Sequence, residues 1–345
     1  MKTKVVFLLL LGCWPLLSIS PKQISGYTVC KQGCLYQSIQ VAIDAAVEGT
    51  TITIGPGLYK ENIQIDKSLR LVGAGQEHVQ IRAADEKKPI VYVLSETPKQ
   101  IYFQGFTVGD PSLPLLDLPS TAPTGAAFPP PHTGLIAVGP IQLMLQDFAV
   151  GGQQGGGIIV MPFPSMDDRT LFFARPHVIL ERVHLVRNLV GLIATGVEVL
   201  VRHSRILENI SGLRGTSMTL IKNEIKENRS AGIQLLASDY NPDHLGLILE
   251  NDVSKNAIGI FLAMPGLEER GYIAENFVDI RGNRFVQNRE YAIMVFDPRC
   301  PTPIGWPFLS QSGGIRVMGA GNEFQSNVKG DLCPPDYPWP PGFRK

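Results

Sequence analysis

The sequence predicts an all-β parallel solenoid. Three observations carry that expectation: a short internal repeat, the residue columns it brings into line, and an amphipathic segment just before the first strand. The repeat units are VHLVRN (183–188), SRILEN (204–209), NEIKEN (223–228), NDVSKN (251–256), NRFVQN (283–288) and NEFQSN (322–327). Each closes on an asparagine: Asn188, Asn209, Asn228, Asn256, Asn288 and Asn327. Each also carries an apolar third residue: Leu185, Ile206, Ile225, Val253, Phe285 and Phe324. The shortest intervals between asparagines are 19 and 21 residues. That is too short for a pair of helices and fits one coil of three short strands, about 20 residues, with equivalent strands stacked at ~4.8 Å. Longer intervals are the same unit carrying insertions. A stacked asparagine amide can satisfy buried backbone groups from coil to coil, so these six residues are expected to be structural.

Upstream of the repeat, Ile39, Ala42, Ile43 and Ala46 fall at i, i+3, i+4 and i+7, the stripe of one short amphipathic helix. A solenoid end exposes unpaired strand groups, and a helix laid across it prevents edge-to-edge association, so this segment is expected to cap the N-terminal end. The strand TITI (51–54) follows. Turn residues Gly55, Pro56 and Gly57 then alternate with apolar strands at 63–65 and 69–72, the first coil or two.

Composition bounds the rest. Lys+Arg and Asp+Glu balance at 31 each, which argues against a nucleic-acid or membrane-surface partner held by bulk charge. The 44% apolar share is that of a folded chain. Lys2 and Lys4, the apolar run Val5 to Leu11 and the small residues Ser18 and Ser20 read as an export signal over residues 1–20, leaving 21–345 as one domain. A competing reading takes Leu10-Leu11-Gly12-Cys13 as a lipoprotein box, with a lipid on Cys13. Beyond the signal no stretch approaches the ~18 apolar residues of a membrane span.

Export allows disulfides, and Cys30, Cys34, Cys300 and Cys333 allow three pairings. With Cys30 in the first coil and Cys300 near the last, about nine coils at ~4.8 Å separate them, far beyond the ~7 Å between Cα atoms that a disulfide tolerates. The pairing left is Cys30 with Cys34 and Cys300 with Cys333. A metal site is the alternative, although the two pairs cannot meet and neither has a histidine close in sequence.

The run IQVAIDAAVEGTTITIGPGLYKENIQIDKSLRLVGAG (39–75) resembles the opening of right-handed parallel β-helix proteins of the pectin-lyase-like superfamily. The asparagine-rich units resemble those of its carbohydrate-binding and sugar-hydrolase branch, which includes periplasmic copper-pathway β-helix proteins. The resemblance covers residues 36 to 330 or so. It implies a right-handed parallel β-helix of roughly nine or ten coils with a short N-terminal capping helix. Activity stays open, because the superfamily holds lyases, hydrolases, esterases, epimerases, tailspikes and non-enzymes.

Insertions at 162–176, 238–244, 263–277 and 296–314 share one phase of the repeat, so they should emerge on one side and line a common wall. The longest, 109–134, interrupts an earlier coil at a less certain phase. The wall would carry Asp167, Asp168, Arg169, Arg175, His177, Asp239, Tyr240, Asp243, His244, Glu268, Glu269, Arg270, Asp297, Arg299 and Trp306. Of these, Asp239, Asp243, His244 and Asp297 are the candidates for proton transfer. Arg175, Arg299, Tyr240 and Trp306 are the candidates for holding a sugar through paired hydrogen bonds and aromatic faces. The commoner fate of such loop residues is to be solvated or to form turns.

Asp167-Asp168 resembles the paired aspartates of polygalacturonase-type hydrolases, but that family's Asn-Thr-Asp, Gly-His-Gly and Arg-Ile-Lys motifs are absent, and no pectin-esterase motif set is present. NPDHL (241–245) resembles the Asp-Pro-His-Asp box of alginate epimerases, with Leu245 where the second aspartate stands. Six histidines and eight methionines occur without a His-x-His or Met-x-x-Met cluster, which argues against copper. No metal or other cofactor is expected, save that a lyase-type site would call for calcium. The expected function is binding, with processing of lyase, hydrolase or epimerase type, of a polysaccharide along the loop-lined side. The alternatives are a non-catalytic glycan-binding protein and a structural surface protein.

Overall fold

The computed structural model describes residues 28–115, 131–162, 176–236, 246–265, 276–300, 310–311 and 315–345. The expected export signal, Cys13, Arg175, Asp239, Tyr240, Asp243, His244 and Trp306 lie outside the described residues. Within them the chain is a parallel β-helix with three strand ladders. The first ladder runs from Thr51–Ile54 to Ile315–Met318 through nine parallel pairings, which makes ten coils among the described residues. The second runs from Gly57–Lys60 to Glu323–Gln325. The third runs from Ile63–Ile65 to Gly330–Cys333.

Alternation along each strand sends every second side chain inward. Leu143, Leu180, Val201 and Leu220 from the first ladder meet Leu185, Ile206 and Ile225 from the second and Leu192, Leu213 and Ile233 from the third in one continuous apolar core. Its early coils are filled by Phe103, Phe106 and Phe148, with the Phe106 and Phe148 ring centroids 4.8 Å apart.

The asparagine column is structural. Asn188, Asn209, Asn228, Asn256 and Asn288 are fully buried. Each donates its backbone N–H to the Oδ1 of the asparagine one coil on, at 2.9 to 3.1 Å. From Asn209 to Asn327 each side-chain amide donates back to the carbonyl of the column residue one coil earlier: Leu185, Ile206, Ile225, Val253 and Phe285. The residue before each asparagine is left-handed: Arg187, Glu208, Glu227, Lys255, Gln287 and Ser326 have φ between 54° and 59°. That conformation turns the chain sharply, and the asparagine then closes the backbone groups the turn exposes.

A second ladder stands at the other short corner, between first and second strands. Val183 N–H donates to Ser204 Oγ at 3.0 Å, and Ser204, Asn223, Asn251 and Asn283 N–H groups donate in turn to Asn223, Asn251, Asn283 and Asn322 Oδ1 at 2.8 to 3.0 Å. Asn322 passes the chain of bonds to the C-terminal tail, donating from Nδ2 to the Phe343 carbonyl at 3.2 Å.

Both ends are closed. The helix Ile39–Ala45 buries Ile39, Ala42 and Ile43, as the stripe predicts. Glu61 fastens its start, accepting from the Ile39 and Gln40 N–H groups at 3.0 and 2.9 Å and from Ser38 Oγ at 2.8 Å. At the far end Phe285 stacks on Phe324, Phe324 meets Phe343, and Trp339 stacks on Phe343, which seals the last coil. Both expected disulfides are present, Cys30–Cys34 and Cys300–Cys333. No helix among the described residues is long and apolar enough to cross a membrane.

Candidate functional site

The three outer faces differ in kind. On the second, Arg205, Glu224, Lys226, Asp252 and Arg284 form a continuous ladder of ion pairs at 2.6 to 3.2 Å. On the third, Ile136, Val138 and Ile159 form one buried satellite cluster, while Leu236, Phe261 and Met294 pack with Cys300 and Cys333 in another. The first face remains open. Along it lies a groove of about 720 Å³.

Strand register explains how the groove is made. The outermost position of successive first-ladder strands brings Gln100, Gln142, His177, Glu198 and Ser217 into one polar row. Two residues on, Arg70, Tyr102, Met144, Ile179, Leu200 and Thr219 form a parallel, mostly apolar row. Gln100, Gln142, His177 and Glu198 are exposed, whereas Tyr102, Met144, Ile179 and Leu200 are half-buried. The Arg70 guanidinium lies 4.0 Å from the Tyr102 ring centroid. The Tyr102 hydroxyl sits 2.8 Å from Gln104 Oε1 and 2.9 Å from Gln146 Oε1, and burial raises its pKa. His177 Nδ1 and Glu198 Oε2 are 3.2 Å apart.

Beyond the apolar row an ion-pair network borders the groove. Arg182 bonds both oxygens of Asp147, at 2.6 and 3.1 Å, and holds the Asp147 carboxyl below the usual carboxylate range. Glu181 pairs with Arg202 at 2.7 Å and Arg182 at 2.8 Å, and Arg202 chiefly lowers its pKa. Among the described residues no three His, Cys, Asp or Glu side chains gather as a metal cage.

The insertions expected at 162–176, 238–244, 263–277 and 296–314 are each flanked by a third-ladder strand and the next first-ladder strand, so all four belong to one corner, the one beside the polar row. The segment 116–130 falls instead between second- and third-ladder strands. Of the eight residues proposed from sequence for catalysis or sugar binding, two are described. Arg299 donates to Asp297 from Nε and Nη2 at 2.8 and 2.9 Å and to both oxygens of Asp336 at 3.0 Å. Those bonds push the Asp297 carboxyl down to about 2, and they tie the segment after the ninth coil to the tail.

The groove floor itself was not among the residues proposed for catalysis or sugar binding. Its signal lay in spacing: His177 and Glu198 are 21 residues apart, the interval that separates Asn188 from Asn209.

No protein-family model matches the chain, and no curated protein sequence does. Solved structures that it resembles include the Dettilon tailspike protein, at 12% identity over 84% of this chain and 57% of that one, with a TM-score of 0.49. The A-module of mannuronan C-5 epimerase AlgE4 from Azotobacter vinelandii matches at 14% identity over 85% of this chain and 92% of that one, with a TM-score of 0.38. Rice weevil pectin methyl esterase matches at 10% identity over 90% and 91%, with a TM-score of 0.42. By its own strand pairing the chain is a parallel β-helix protein closed by a helix at one end and an aromatic tail at the other.

Proposed function

We propose that the protein is exported and binds an extended polysaccharide along the first face, with the corner insertions forming the adjoining wall. The supporting observation is the groove itself. A half-buried row of Tyr102, Met144, Ile179 and Leu200 suits the apolar faces of sugar rings, and the parallel row of Gln100, Gln142, His177, Glu198 and Ser217 suits their hydroxyls. Processing, on this reading, belongs to the same side. Asp239, Asp243, His244 and Asp297 are assigned proton transfer, and Arg175, Arg299, Tyr240 and Trp306 substrate contact.

The test is a binding panel of neutral and acidic polysaccharides against the purified protein, followed for reducing ends and for unsaturated product with and without calcium. Tyr102→Ala should weaken glycan binding at least roughly fivefold, the loss of one stacked aromatic contact. Binding without turnover would make the protein a glycan-binding module. Turnover abolished by Asp243→Asn would make it an enzyme, and unsaturated product would make it a lyase. Absence of binding to any glycan would sink the carbohydrate reading. Export is tested by sequencing the N-terminus of the secreted form, expected just after residue 20; a lipid on Cys13 would appear in its mass.

A further inference from the structure

We infer that the groove selects an uncharged glycan chain over a polyuronate, and that Glu198 sets this preference. The inference rests on the reading of the groove as a glycan site. A sugar hydroxyl both donates and accepts, and so do the carboxamides of Gln100 and Gln142 and the hydroxyls of Ser217 and Thr219 that line the floor. A uronate carboxylate only accepts, and it is held best by a guanidinium that can offer two parallel N–H groups.

Among the described residues one guanidinium lines the groove, and two more stand beside it in ion pairs. Arg70 lies on the Tyr102 ring at the early end, and Arg182 and Arg202 are in ion pairs with Asp147 and Glu181 at 2.6 to 2.8 Å. Glu198 stands in the polar row four coils after Arg70, with its side chain 48% exposed and its Oε2 3.2 Å from His177 Nδ1. Its carboxylate accepts from hydroxyls of a neutral chain and repels each carboxylate of an acidic one.

The experiment is titration calorimetry of the full mature chain at one pH and ionic strength. The ligands are neutral glucan, mannan and galactan oligomers and polygalacturonate and alginate oligomers of matched length. The wild type should bind a neutral ligand at least roughly tenfold more tightly than either uronate. Glu198→Gln keeps the shape and the hydrogen bonding while removing the charge. It should raise uronate affinity roughly fivefold, the effect of one like charge at ~4 Å in water, and so lower the neutral-to-uronate affinity ratio by at least that factor. Uronate binding equal to or tighter than neutral binding, or a Glu198→Gln protein with unaltered uronate affinity, overturns the inference while the glycan site stands. If no oligomer binds, both readings fall together. Because Glu198 is exposed, thermal unfolding of the variant should match the wild type and exclude misfolding as the cause.

Discussion

Asn256 shows what one buried amide does in this fold. Its Oδ1 accepts the Asn228 N–H at 3.0 Å, its Nδ2 donates to the Ile225 carbonyl at 2.9 Å, and its own N–H donates to Asn288 Oδ1 at 3.1 Å. Asn256→Ala strands the first two partners in a dry interior, so it should cost about 1–3 kcal/mol in chemical denaturation. Unchanged stability would mean that water replaces the amide. Gly212 is the complementary case. A Cβ built there would stand 2.2 Å from the Gly232 carbonyl oxygen, so Gly212→Ala should cost about 1–3 kcal/mol through forced backbone movement, read in the same assay. The closing asparagine column was legible because all six units keep the same letter. The opening column runs Val183, Ser204, Asn223, Asn251, Asn283 and Asn322. It was hidden by its ragged start, although Ser204 Oγ accepts the same kind of bond as an amide oxygen. Glu198 was hidden for another reason: it lies within the continuous strand Val190–Arg202 with no insertion before it, whereas the candidate site residues lie in insertions.

At the scale of elements, the tail is fastened by one covalent bond and one charge cluster. Cys300–Cys333 closes a loop of 33 residues, worth about 3–4 kcal/mol in chain entropy. Replacing both cysteines by serine should lower denaturant stability by about that amount, with the emission of Trp339, which packs on Phe343, changing first. The charge cluster responds to acid. Because Arg299 depresses the folded-state pKa of Asp297 to about 2, its contribution is fully present above the ordinary aspartate value of ~3.9 and is lost as pH falls through about 2. Acid titration should therefore weaken the Arg299 cluster between roughly pH 4 and 2 in the wild type, and Asp297→Asn should shrink that transition without removing it, because Asp336, which Arg299 also holds below its ordinary value, supplies the bond to the tail. The disulfide pairing was legible from coil distance alone. The aspartate and arginine were legible as a neighbouring pair of charges, but not as a clamp, because Asp336 reaches them from 37 residues beyond Arg299.

At the scale of the whole molecule, the two asparagine ladders reach to the last coil from the fourth and the fifth, starting at Gln153 N–H and Val183 N–H. The first three coils, which end with the strand Thr133–Val138, are joined by strand pairing, phenylalanine packing and the capping helix instead. Hydrogen exchange should follow that division, with ladder N–H groups between 188 and 288 protected longest and those of 51–109 released in an earlier step. Simultaneous release would mean that the stack opens as one unit. Coil number and the shared phase of the insertions could be read from the letters, since both are one-dimensional properties. The groove could not, because it emerges only when the outward side chains of coils far apart in sequence stand side by side, as ion pairs along the second face and as packed clusters on the third. The same geometry has a consequence for change over time. The ladders occupy two corners and four of the five insertions the third, so a segment can be lengthened, lost or exchanged there without disturbing a single ladder amide. The body of the molecule thus acts as a ruler, and inheritance can rewrite the marks at intervals of ~4.8 Å while leaving the ruler straight.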